Sequence, residues 1–159
     1  MRAVVLLVAL VVSGAAQAKN PPQPPSIQFT ETSPDAESRS QPVSAEDLRI
    51  LQRAGQILSS PAVWNRQDTR TCQPSDRTWS LFCALEKASL DVLGEYRHRE
   101  AALQEVRFAI MDATNNRPFE HRLMDYNNLP STRFEDIKAV LKVATDRVSA
   151  KLPSQRRTP

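Results

Sequence analysis

Between Ser44 and Leu152 the chain holds only two glycines, Gly55 and Gly94, and no run of apolar residues alternates over the length of a strand. No Asn-Gly pair occurs there either. Tight hairpins draw on residues that tolerate positive φ, glycine above all. A stretch with so few of them is poorly equipped to build a sheet and well equipped to turn between helices. The expected fold class is therefore all-α: a small bundle of four main helices with one or two short ones.

The helix signals can be placed one by one. Ser44 followed by Asp47 resembles a capping box, with an acid over free backbone amides. Leu48, Leu51, Ala54 and Leu58 then recur at helical spacing. Pro61 ends that helix, because the residue before proline avoids the helical region. A second helix is predicted from Thr78 or Trp79 to Leu93, with Gly94 as a left-handed C-cap. It is apolar nearly all round, apart from a stripe centred on Ser80, Lys87 and Asp91, and so is expected at the centre of the bundle. A third runs from Tyr96 to Thr114 and buries Leu103, Val106, Ile110 and Ala113; Glu95 and Arg99 have the spacing of a helical ion pair. A short turn over Arg122 to Tyr126 leads to the last helix. Thr132 and Glu135 are read as its capping box, and Phe134, Ile137, Leu141, Ala144 and Val148 as its buried stripe.

Outside this helical domain (residues 44–152) the composition changes. The chain begins "MRAVVLLVALVVSGAAQAKN": one basic residue, an apolar run from Ala3 to Val12, then Ala16-Gln17-Ala18. These are the three parts of a secretory signal peptide over residues 1–18, and the run is about half of the roughly 20 residues a spanning helix needs. Export to the periplasm or the medium is expected, with no stable membrane insertion after cleavage. Residues 19–43 contain six of the twelve prolines and read as a disordered linker. Residues 153–159 read as a disordered basic tail. Loss of Arg2 with the signal leaves 20 basic residues against 18 acidic ones. Acids and bases alternate, without the dense basic face of a nucleic-acid binder, so no nucleic acid is expected as a partner.

Cys72 and Cys83 are the only cysteines. A zinc site needs four ligands at recognisable spacing, and the two histidines, His98 and His121, lie in no such cluster. A redox motif would be Cys-x-x-Cys. A nucleophilic Cys83 served by a histidine stays open at this level, since triads assemble in space, as do two free thiols. In an oxidising compartment two cysteines of a small domain usually pair, and a structural disulfide is the expectation. Its ring of about a dozen residues contributes roughly 3 kcal/mol by the chain-entropy relation. On a helical projection Cys83 falls beside the polar stripe, away from the centre of the buried face.

Two stretches together carry a resemblance: "WSLFCALEKA" and "YNNLPSTRFEDIKAVLKVA". The first is a tryptophan followed by Cys-Ala-Leu on an apolar helix. The second is an aromatic residue, an Asn-Asn-x-Pro turn and a capped amphipathic helix. The pairing resembles a family of small helical bacterial and phage domains of unknown function, over about Leu48 to Val148. In that family the second motif tends to be Trp-Asn-Asp-x-Pro. Here Tyr126 stands for the tryptophan and Asn128 for the aspartate, and a signal peptide is added. Because such domains are usually cytoplasmic, the resemblance implies that Cys72 is an adaptation to export. It implies a fold and carries no activity.

Tyr126, Asn127 and Asn128, before Pro130, are the most distinctive polar patch. They read as a turn whose asparagines bond local backbone, or as a ligand-facing loop. Arg97 and Arg99 read as a solvated face, or as a site for an anionic envelope polymer. Trp64 and Trp79 are expected as core anchors. No Gly-rich phosphate loop, nucleophile elbow, zinc-protease helix or calcium loop is present in the sequence, and no cofactor is expected. The leading expectation is a non-enzymatic binding or interaction module of the cell envelope with an unidentified envelope or extracellular partner. Two alternatives stand beside it. One is a small hydrolase using Glu120 or Asp125 with His98 or His121. The other is an anion-polymer binder using Arg97, Arg99 and the basic tail.

Overall fold

The computed structural model describes residues 39–152. The proposed signal peptide, the linker up to residue 38 and the tail from residue 153 lie outside the described residues. Five α-helices follow in order: α1 (Ala45–Ile57), α2 (Leu81–Leu93), α3 (Ala101–Ala113), α4 (Arg122–Asn128) and α5 (Phe134–Lys151), with one 3-10 turn at Pro61–Val63. The fold is all-α, with four long helices and two short helical pieces. Among the described residues there is no sheet, and Trp64 and Trp79 form one isolated parallel bridge. No described helix is long and apolar enough to cross a membrane.

α1 packs chiefly on α2 and α3 chiefly on α5, while α1 also meets α5 and joins the two pairs. Short α4 touches both α3 and α2. The core lies where these faces converge. Ile50, Leu51 and Ala54 of α1 meet Leu81, Leu85 and Ala88 of α2, Leu103, Val106 and Ile110 of α3, and Ile137, Leu141, Ala144 and Val148 of α5. Every helical stripe read from the sequence supplies buried residues to it, apart from Ala113, which is exposed, and Leu48 and Phe134, which pack partly buried against the core.

Several boundaries differ from the sequence reading. The Ser44–Asp47 capping box forms as expected, with Asp47 N–H donating to Ser44 Oγ at 3.2 Å and Ser44 N–H to Asp47 at 2.7 Å. The other Asp47 oxygen reaches across to α3 and accepts the Ala102 N–H at 2.8 Å. One buried carboxylate thus serves the first turns of two helices, and α3 begins at Ala101 rather than Tyr96. α2 begins at Leu81. Ser80, expected in the polar stripe, is buried as its N-cap and accepts the Cys83 N–H at 3.1 Å. The cap of α5 is also different. Thr132 donates its hydroxyl to the Tyr126 carbonyl at 2.8 Å, and Asp136 accepts the Arg133 N–H at 2.8 Å.

The expectation that α2 is the innermost helix is corrected as well. α2 keeps a wet edge at Leu90 and Asp91, whereas α3 is buried without a break from Ala101 to Ile110. That run includes Gln104, Glu105 and Arg107. Burying charge is tolerable only with partners. Glu105 pairs with Lys151, and Arg107 donates to the His98 carbonyl at 3.1 Å.

Candidate functional site

The Tyr126-Asn127-Asn128 patch ends α4, and its three side chains have different fates. Asn127 is fully buried. Its Oδ1 accepts the Trp64 indole N–H at 2.8 Å and the Leu81 N–H at 3.1 Å. Its Nδ2 donates to the Asn65 carbonyl at 3.0 Å and to Asn128 Oδ1 at 3.1 Å. An asparagine amide offers two acceptor sites and two donors, and all four are used. Asn128 treats Asp68 as a strand would: it accepts the Asp68 N–H at 2.8 Å and donates to the Asp68 carbonyl at 2.9 Å. Sequence reading anticipated bonds to local backbone. Apart from the bond between Asn127 and Asn128, they are instead to residues 46 to 63 positions away, and they hold the excursion between α1 and α2.

That excursion, residues 64–80, is closed at its base by the Trp64–Trp79 bridge, with Asn65 N–H on the Trp79 carbonyl at 3.0 Å and Trp79 N–H on the Val63 carbonyl at 2.7 Å. Both tryptophans are partly buried against the core. Arg66 lies over the Trp64 ring and donates to the carbonyls of Leu129, Pro130 and Thr132, which pins the turn between α4 and α5. At the far end Cys72 and Cys83 are bonded, with Cα atoms 5.5 Å apart. Cys83 is buried rather than at the polar edge.

The acid–histidine pairs are spent locally. Asp125 accepts the His121 N–H at 2.8 Å and so closes the first turn of α4. The His121 ring faces Arg70, and His98 lies against Tyr96 and Arg107. Glu120, Asp125, His98 and His121 line none of the three depressions described below.

Arg97 and Arg99 line a depression of about 410 Å³ where the first turns of α1 and α3 meet the end of α2. Glu46, Asp47 and Glu100 line it too, so its carboxylates outnumber its guanidiniums. Arg97 pairs with Glu95, and both Glu95 and Arg99 lie before α3 rather than on it, so the two do not share a helical face. Burial raises the Glu100 pKa, opposed by a hydrogen bond from Ser89.

Tyr126 looks the other way from the asparagines. It lines two adjoining cavities of about 260 and 350 Å³ between α3, α4 and α5, which share Ala113, Tyr126 and Asp136. Together they form one groove along α5. Ala109, Ala113, Ala139, Val140 and Val143 make the apolar wall of its first part. Val143, a large apolar residue, is 40 % exposed there. Burial, with the Asp136 carboxylate nearby, pushes the Tyr126 hydroxyl up to about 12 and keeps it a donor at physiological pH. The groove ends at Arg147 and Asp112, and Arg117 lines its other part. Arg147, Asp136 and Val143 were not singled out in the sequence. Their spacing on α5 was visible, but the wall opposite them comes from α3 and α4.

Among the described residues no cluster of three or more His, Cys, Asp or Glu is arranged to hold a metal ion. A family model described as "Family of unknown function (DUF6197)" matches residues 42–147, more than half of the chain and the span that carries the helix motifs. No curated protein and no solved structure matches the chain.

Proposed function

The chain belongs to this family of unknown function, DUF6197, and from that membership and the geometry above we propose that it is an exported, non-enzymatic binding module of the cell envelope that engages its ligand through the groove between α3, α4 and α5. One observation carries the choice of site. The groove is lined by exposed Val143 and by Tyr126 on an apolar wall, whereas the neighbouring Asn127 and Asn128 spend their side chains on other groups of the protein. Binding sites are typically concave and apolar with a few placed polar groups. The engagement of Asp125 with the α4 backbone supports a binding role over acid–base work at this turn.

Export rests on the three-part pattern of residues 1–18, and the Cys72–Cys83 bond supports a compartment where thiols oxidise. Fractionation with N-terminal sequencing tests that part. Lys19 as the first residue, in the periplasm or medium, is expected; intact Met1 in the cytosol overturns it. The binding part is tested by adding envelope extract to isotope-labelled protein. Amide shifts confined to Ala113, Tyr126 and Val143, abolished by Val143→Asp, are expected, with extract components chemically unchanged. Steady consumption of a component would make the protein an enzyme.

A further inference from the structure

We propose that the Arg77–Thr78 peptide bond is a site of limited proteolysis by an arginine-specific endoprotease, and that the cut yields a folded two-chain form joined by Cys72–Cys83.

The first observation is how little holds this bond. Arg77 and Thr78 are exposed. Among the described residues neither makes a hydrogen bond, an ion pair or a ring contact, through side chain or backbone. Proteins that read an extended segment do so through its main-chain hydrogen bonds, and backbone groups already bonded in the native fold must open first. At Arg77 and Thr78 nothing has to open. The flanks are fixed. Asp76 N–H donates to the Gln73 carbonyl at 3.0 Å, and the Asp76 carboxylate accepts the Gln73 N–H at 2.8 Å. On the other side Trp79 is held to Val63 and Asn65. Exposed loop tips are where chains are nicked.

The second observation is selectivity. An endoprotease whose primary pocket carries a carboxylate cuts after a basic residue. The other basic residues outside the helices are engaged. Arg39 grips Asp112, Arg66 reaches the Thr132 carbonyl and Arg97 pairs with Glu95. The N–H groups of Arg70, Arg117 and Arg133 are bonded to Asp68, Thr114 and Asp136, and the Arg99 carbonyl accepts from Gln41. The remaining described lysines and arginines lie in helices, where the backbone is bonded turn by turn. Because Asp76 turns its carboxylate back onto Gln73, the charge offered beside the bond is that of Arg77.

The third observation is where the cut falls. Hydrolysis adds the hydroxyl of water to the Arg77 carbonyl carbon and its hydrogen to the Thr78 nitrogen, and the C–N bond breaks. The bond lies inside the ring closed by Cys72 and Cys83. α1 then belongs to one chain and α2 to α5 to the other, with the disulfide as their covalent link. The bonds from Asn127 to Trp64 and from Asn128 to Asp68, and the shared core, do not involve the cut residues. A bond that closes a ring in the intact chain thus becomes the joint between two chains. A dithiol reductant, itself oxidised to a cyclic disulfide, converts Cys72 and Cys83 to thiols. The domain is then a pair of chains whose association depends on concentration.

The experiment is brief digestion of the oxidised full chain with trypsin, followed by mass analysis with and without dithiothreitol. Within residues 39–152 the first cut is expected after Arg77. Without reductant the described domain should gain one water and stay in one piece. With reductant it should separate, one product beginning Thr78-Trp79-Ser80. The amide spectrum of the nicked, oxidised protein should be unchanged outside residues 72–83. Under dithiothreitol the melting temperature of the nicked form should fall on dilution, and that of the intact chain should not. Arg77→Gln alters a side chain that touches nothing, so it should fold and lose the first cut. Arg49→Gln, on the exposed side of α1, should be cut as before. A first cut at another described residue, or an unchanged cutting pattern in Arg77→Gln, overturns the site. Unfolding on cleavage with the disulfide intact overturns the two-chain form.

Discussion

Tyr126 and Asn127 are adjacent in the chain and belong to opposite kinds of surface. On the asparagine side of α4 every amide atom of Asn127 has a partner inside the protein, and the 64–80 excursion is sewn down over it. On the tyrosine side two cavities meet and a large apolar side chain is exposed. The contrast shows how a polar patch divides its labour. Polar atoms that are satisfied internally stabilise one geometry. A distinctive polar motif is thus a weak guide to a binding surface until its hydrogen bonds have been counted.

The strongest way to break this contrast is Asn127→Ala. It strands the Leu81 N–H, which is buried, and the Trp64 indole N–H and the Asn65 carbonyl, which are part-buried. At about 1–3 kcal/mol for each unsatisfied group, a loss of about 4 kcal/mol is expected in urea unfolding. A loss under about 1 kcal/mol would show that the hub is not what holds the excursion. Next comes the covalent tie. Cys72→Ala with Cys83→Ala should cost about 3 kcal/mol by the chain-entropy relation. The groove amides should not shift in that double variant, because the Asn127 and Asn128 bonds hold the near end of the excursion independently of its far end.

The smallest expected effect sharpens the other side. The Tyr126 hydroxyl is raised to about 12 by burial, against an ordinary value of about 10. Between those values the unfolded chain loses the proton and the native chain keeps it, so stability should fall as pH rises above about 10. Phenolate absorbance should show a late ionisation step that disappears in Tyr126→Phe. Ionisation at the ordinary value would mean that water reaches the hydroxyl freely, and the groove wall would lose the dryness attributed to it.

Much of the architecture was legible in the residues. The Ser44–Asp47 box, the stop before Pro61, the left-handed Gly94 cap at φ 77° and the stripe of α5 all appear where spacing placed them. The pairing of Cys72 with Cys83 was legible too. The role of Ser80 was misread, because a serine one residue before an apolar run fits a polar stripe and an N-cap equally well. α3 was placed less deeply than it lies, since the stripe read for it leaves out Glu105 and Arg107, whose burial depends on Lys151 and the His98 carbonyl being brought beside them.

By itself the sequence determined the helical class, most helix ends and which residues could form a core. These depend on contacts three or four residues apart, and such contacts leave a period and a cap in the string of letters. The tertiary structure alone decided that Asp47 would cap two helices, that Asn127 would bind the Trp64 indole and that Tyr126 would face a groove. Those outcomes join residues about 20 to 60 positions apart. No repeat marks such partners, and they are selected only when burying the shared apolar faces brings their polar groups within reach.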